Sequence, residues 1–134
     1  MATWAEVFAE FGLTVHRVQL LQGFQAATEV LRAAGCRRVY LDGSFVSSKV
    51  RPEDFDALWD TAGVDLPALL KSEPCFGDFS NARASQKAKY GGEFFPANFR
   101  EPSFGGVFLD FFQVDKHTGL PKGIIAIDLK KEMP

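Results

Sequence analysis

The sequence predicts an α+β fold: a short mixed β-sheet with helices mainly on one face. Three observations carry that expectation. One long segment, "HRVQLLQGFQAATEVLRAAG", places Leu20, Phe24, Ala27, Leu31 and Ala34 on a single stripe. Several short runs, "RRVYLD", "DFDALWD" and "KGIIAIDL", are rich in β-branched and aromatic residues and too short for helices. The chain of 134 residues is 46% hydrophobic and 24% charged, a balance that buries one core and suits a single domain over 1–134.

The elements follow in order. Residues 4–12 predict a short helix, with Trp4, Val7, Phe8 and Phe11 on one side. The long helix comes next, with Gly35 as its stop. "RRVYLD" predicts the first strand. "GSFVSSK" predicts a sharp turn into a short helix, with Ser44 as N-cap. After a turn at Pro52, "DFDALWD" predicts the second strand. Asp54, Asp56 and Leu58 then share one face, and Phe55, Ala57 and Trp59 the other. "DLPALLK" predicts a short helix with Asp65 as N-cap and Pro67 in its first turn.

Residues 72–104 hold six of the fourteen Phe, with Pro74, Pro96 and Pro102. An ordered but irregular aromatic-rich lobe around one helix is expected there. "GVFLDFFQVD" and "KGIIAIDL", separated by the turn "KHTGLP", predict a closing antiparallel hairpin.

Composition narrows the function. The net charge of −2 gives no overall basis for nucleic-acid binding. No apolar run is long enough to span a bilayer. The N-terminus carries Glu6 and Glu10 and no basic segment, so it does not read as a signal peptide. A cytoplasmic protein that binds no membrane is the expectation. Cys36 and Cys75 are isolated, which predicts ordinary thiols rather than a disulfide or zinc site. His16 and His117 have no partner pattern.

The chemistry concentrates in "LDGSFVSSKVRPEDFD". Two carboxylates one residue apart on a strand, Asp54 and Asp56, face the same way and suit a hard divalent cation. The competing reading is a solvated strand with ordinary acids. Gly43 lets backbone approach a ligand closely, and a helix beginning at Ser44 offers free N–H groups to phosphate. Ser44 taken alone reads equally as a plain N-cap. Asp110 interrupts the apolar run "VFLDFF" between Phe108 and Phe112. A carboxylate on such a strand needs a metal or a salt bridge, for example to Arg38 or Arg100. Arg83, Lys87 and Lys89 form one basic helix face, read as a substrate channel or a solvated surface.

These residues resemble the Gly-Ser and Asp-x-Asp signature of the nucleotidyltransferase superfamily. That superfamily includes DNA polymerase beta and the small bacterial minimal nucleotidyltransferases. The resemblance covers about residues 37–60, and "DFFQVD" and "PKGI" extend it toward the C-terminus. It implies a minimal nucleotidyltransferase fold and transfer of a nucleoside monophosphate from an NTP to a hydroxyl of a protein or RNA such as tRNA. It also implies a partner encoded beside it in a toxin–antitoxin or phage-defence pair. Gly43, Ser44 and Lys49 would bind the nucleotide. Asp54, Asp56 and Asp110 would be the catalytic metal ligands, with Mg²⁺, or Mn²⁺, as cofactor. Lys49 is the first basic residue after Ser44, later than in many members, and Phe55 replaces the usual small aliphatic residue between the two acids. The alternative is an inactive binding module of the same fold, docking through aromatic residues of 94–104.

Overall fold

The computed structural model describes residues 2–12, 14–42, 55–77, 80–101, 105–113 and 124–130. Helix α1 spans Trp4–Phe11 and α2 Val15–Ala33. Thr3 caps α1 in a reciprocal capping box with Glu6, and Thr14 caps α2 by accepting from the Arg17 amide. The buried Arg17 donates to the Phe11 carbonyl at 2.6 Å, covering the C-terminal end of α1. Gly35, at a φ of 103°, makes the turn that ends α2.

Strand β1 is Arg38–Asp42, β2 Phe55–Trp59, β3 Gly92–Pro96 and β4 Ile125–Asp128. They form one mixed sheet in the order β3-β2-β1-β4. β1 is antiparallel to both β2 and β4, and β2 is parallel to β3. Helix α3, Leu66–Ser72, is capped by Asp65 and carries Pro67 in its first turn, as expected. A 3-10 turn over Pro74–Gly77 and helix α4, Ser80–Tyr90, complete the crossover from β2 to β3.

Alternation along the strands divides the apolar side chains between two faces. Val39, Leu41, Phe55, Ala57, Trp59, Phe94 and Ile127 join the main core with Leu21, Phe24 and Leu31 of α2. Aromatic rings tie its layers together: Phe24 lies 5.4 Å from both Trp4 and Phe55, and Phe94 lies 5.4 Å from Phe55 and Phe76. The second face carries a smaller cluster of Leu58, Phe95 and Ala97. It is covered in part by Phe108, Leu109 and Phe112 of helix α5, Phe108–Phe111. Helices therefore lie mainly on one face of a four-stranded mixed sheet, the coarse fold class expected.

Two expectations are corrected. The lobe over 72–104 contains a strand, β3, and its Phe76 and Phe94 belong to the main core. The closing hairpin does not form, because residues 108–111 are helical and β4 pairs with β1 instead. The physical reason lies in "FLDFF". On a strand Phe108, Asp110 and Phe112 share a face, burying a carboxylate. On a helix Phe108, Leu109 and Phe112 turn toward the sheet and Asp110 turns to solvent. The helix expected after Ser44 and the turn at 116–121 lie outside the described residues.

Helices α2 and α4 meet where Gly23 faces the backbone of Tyr90. A Cβ at position 23 would land on the Tyr90 carbonyl. Gly23→Ala raises helix propensity by about 1 kcal/mol at an open site. Here overpacking reverses the sign, and a net loss of roughly 1–3 kcal/mol in urea unfolding is expected. A gain in stability would show that the helices do not touch there.

Candidate functional site

β2 carries Asp56 on the face of the sheet opposite the main core. Its register partners are Asp42 on β1 and Glu93 on β3. Asp56 and Glu93 thus lie side by side on adjacent strands, and paired residues on neighbouring strands lie roughly 4.5–5.5 Å apart at Cα. Like charges so placed repel. Helix α4 brings the compensating charge. Lys87 Nζ lies 2.9 Å from Glu93 Oε1. The guanidinium of Arg83 stacks 4.0 Å from the centre of the Phe95 ring. Burial pulls that guanidinium below its ordinary value, while the carboxylates of Glu93 and Asp56 pull it back up. Arg83 stays cationic in that setting, and its φ of 59° is unusual for a residue with a side chain.

Three contacts fix α4 at this position. The fully buried Gln86 donates from Nε2 to the Cys75 carbonyl at 2.9 Å and accepts from the Phe94 amide at 2.8 Å. The second bond satisfies an N–H on the outer edge of β3, which would otherwise be an open sheet edge. On the other side of the helix, the buried Glu73 accepts hydrogen bonds from Tyr90 Oη at 2.8 Å and from Lys89. Burial pushes the Glu73 carboxyl up, but the bonds from Lys89 and Tyr90 outweigh it and hold the group below its ordinary 4.5.

Of the site residues expected from sequence, Asp56 lies in the acid row. Gly43, Ser44, Lys49 and Asp54 lie outside the described residues. Asp110 is exposed on α5 and is not on any strand of the sheet. Among the described residues, no group of three or more His, Cys, Asp and Glu could hold a metal ion. So Asp110 does not complete a cluster with Asp56 and Glu93. The basic triad of α4 also divides. Lys87 turns to Glu93 and Lys89 to Glu73, because a spacing of six leaves Lys89 well off the line of Arg83. Tyr90 is a buried core ring. Cys36 and Cys75 are buried free thiols, and burial pushes Cys36 up to about 11.

The sequence model of a family described as "Family of unknown function (DUF6932)" matches residues 1–128. The chain belongs to that family. No curated protein and no solved structure matches the DUF6932 chain. No helix among its described residues is long and apolar enough to cross a membrane.

Sequence reasoning missed Glu93, whereas Arg83 and Lys87 were among the basic helix residues it offered as a substrate channel or a solvated surface. "GGEFFP" carried a weak signal, since Glu93 and Phe95 alternate with Phe94, but the double glycine and Pro96 argued against a strand.

Gln86→Leu should cost roughly 2–4 kcal/mol in chemical denaturation, because it removes the buried bonds to the Phe94 amide and the Cys75 carbonyl. A near-neutral result would contradict the bridge. Glu73 adds a pH signature. Its folded pKa lies below its unfolded value, so its stabilisation is present above 4.5 and lost as pH falls through the folded value. Glu73→Gln should therefore flatten the decline in unfolding midpoint as pH falls below 4.5. An unchanged slope would show that Glu73 is not held ionised.

Proposed function

We propose that this chain is a Mg²⁺-dependent nucleotidyltransferase of the minimal, DNA polymerase beta-like type. It transfers a nucleoside monophosphate from an NTP to a hydroxyl of a protein or RNA, as one member of a toxin–antitoxin or defence pair. The observation that carries the reading is the β2–β3 register, which sets Glu93 beside Asp56. The resemblance calls for an acidic pair on one strand and a third acid on a later strand. Glu93, rather than Asp110, takes that third position.

The residue types suit a hard divalent ion in this reading. Asp56 and Glu93 offer hard carboxylate oxygens from adjacent strands, and Asp54 belongs to the same Asp-x-Asp. A divalent cation bound there would supply Lewis-acid stabilisation of phosphoryl oxygens. The acceptor oxygen bonds to the α-phosphorus in line, and the bond from that phosphorus to the bridging oxygen breaks. Pyrophosphate leaves with the electron pair, and the hydroxyl proton passes to a carboxylate of the row. Gly43, Ser44 and Lys49 would bind the triphosphate.

A second reading, an inert scaffold acting by protein–protein contact, is favoured by one observation. Lys87 and Arg83 already compensate Glu93 and Asp56 without a metal. The contact surface it was expected to use is much reduced, since Phe94 and Phe95 are buried and Phe99 is exposed.

The test is incubation with NTPs labelled at the α-phosphorus, Mg²⁺, total tRNA and the protein encoded beside this one. Label should reach one acceptor, and Asp56→Asn or Glu93→Gln should lower transfer about 100-fold or more. Asp110→Asn should leave it intact. Absence of transfer, together with partner binding that survives Asp56→Asn, would establish the scaffold reading instead.

A further inference from the structure

We propose that the outer edge of β4, with the groove between it and α1, docks an extended basic segment of a partner protein as a further strand of the sheet. The inference does not rest on the catalytic reading, since α1 and β4 carry none of the residues assigned there.

The two edges of the sheet are closed differently. At β3, Gln86 of α4 takes the outward amide of Phe94. β4 stands at the other end of the strand order. Two bonds fix which of its groups point outward. The Leu129 amide donates to the Arg37 carbonyl on the β1 side, and the Ala126 carbonyl accepts from the Ala2 amide on the outer side, both at 2.9 Å. In an antiparallel strand the N–H and C=O of one residue point the same way, and successive residues alternate. The amides of Ala126 and Asp128 therefore face outward. Among the described residues, this outer edge receives the Ala2 bond and no other backbone bond.

Beside the edge lies a groove of about 500 Å³, within the size range of ligand-holding clefts. Ala2, Val7, Phe11 and Ile125 give it an apolar lining, and its charged lining residues are Glu6 and Glu10. Val7 is buried, and both glutamates are exposed, one helical turn apart. Ile125 packs against the main core, so the groove opens on the core side of the sheet. Alternate side chains of an added strand would face that side. An apolar side chain fits the lining, and a lysine or arginine two residues further on reaches Glu6 or Glu10. Charge decides the occupant. A second copy would bring its own Glu6, Glu10 and Asp128 to the same edge, and like charges so placed repel. A basic segment meets these acids with opposite charge. The incoming strand replaces the Ala2 bond at Ala126 and adds bonds at Asp128, with main-chain pairing giving affinity and the groove giving selectivity.

The test is selection of octapeptides from a displayed random library on the full chain, followed by calorimetry with the synthetic selected peptides. They should alternate apolar with polar residues, carry lysine or arginine, and slow amide exchange at Ala126 and Asp128. Ala126→Pro removes an outward N–H and no bond to β1, a change that edge strands accept. It should weaken binding about tenfold or more. Glu10→Lys should weaken it about fivefold, an effect that raised salt shrinks. Glu29→Lys, the same charge change at an exposed position of α2, should leave it unchanged. Thermal unfolding shows whether Ala126→Pro keeps the fold, and Glu10→Lys carries the test if it does not. Failure to select any peptide overturns the inference, as do peptides that bind both variants as tightly as the wild type. Equal losses in Glu10→Lys and Glu29→Lys overturn it too, since net charge alone would then explain them. A dimer in sedimentation that Ala126→Pro dissolves would assign the edge to a second copy and overturn it as well.

Discussion

The parallel pairing of β2 with β3 is the constraint on which the rest depends. Two parallel neighbours need a long crossover, and here it consists of α3, the 3-10 turn and α4. The pairing puts Phe94 beside Ala57 on the core side and Glu93 beside Asp56 on the other. A slip of one residue would exchange those faces, driving Glu93 into the aromatic core and Phe94 out of it. Burial of Phe94 among Phe24, Phe55 and Phe76 therefore fixes the position of Glu93 as firmly as any contact Glu93 makes itself.

Helix α4 converts that register into a site. It lies against the outer edge of β3, and its side chains serve three ends. Tyr90 enters the main core, Gln86 covers the edge amide of Phe94, and Arg83 and Lys87 reach the acid row. Glu73 holds the C-terminal end of the helix from below. A buried carboxylate is costly unless charge and hydrogen bonds compensate it, and Lys89 and Tyr90 do so. The same helix thus balances two acids at opposite ends of the site region by different means. Glu73 is held in a buried hydrogen-bonded network, and Glu93 pairs with Lys87 in a more exposed setting.

Local pattern was enough where an element has its own period or cap. The stripe Leu20, Phe24, Ala27, Leu31 marks α2, Asp65 and Pro67 mark α3, and the alternation of Asp56 and Leu58 with Phe55, Ala57 and Trp59 marks β2. It was not enough where two periods fit equally well. "FLDFF" satisfies a strand or a helical turn, and only the cost of burying Asp110 separates them. Glu93, and the proximity of Arg83 to Asp56, were hidden for a different reason. Both residues lie far along the chain from Asp56, and only the register of β3 and the path of α4 bring them near it. The acid on β2 was therefore legible, but its neighbours were not.

A crystal structure of the Mn²⁺-soaked protein tests the central claim most directly. The account predicts an anomalous peak between Asp56 and Glu93, with β3 parallel to β2. A peak on Asp110, or a β3 that does not lie beside β2, would contradict it.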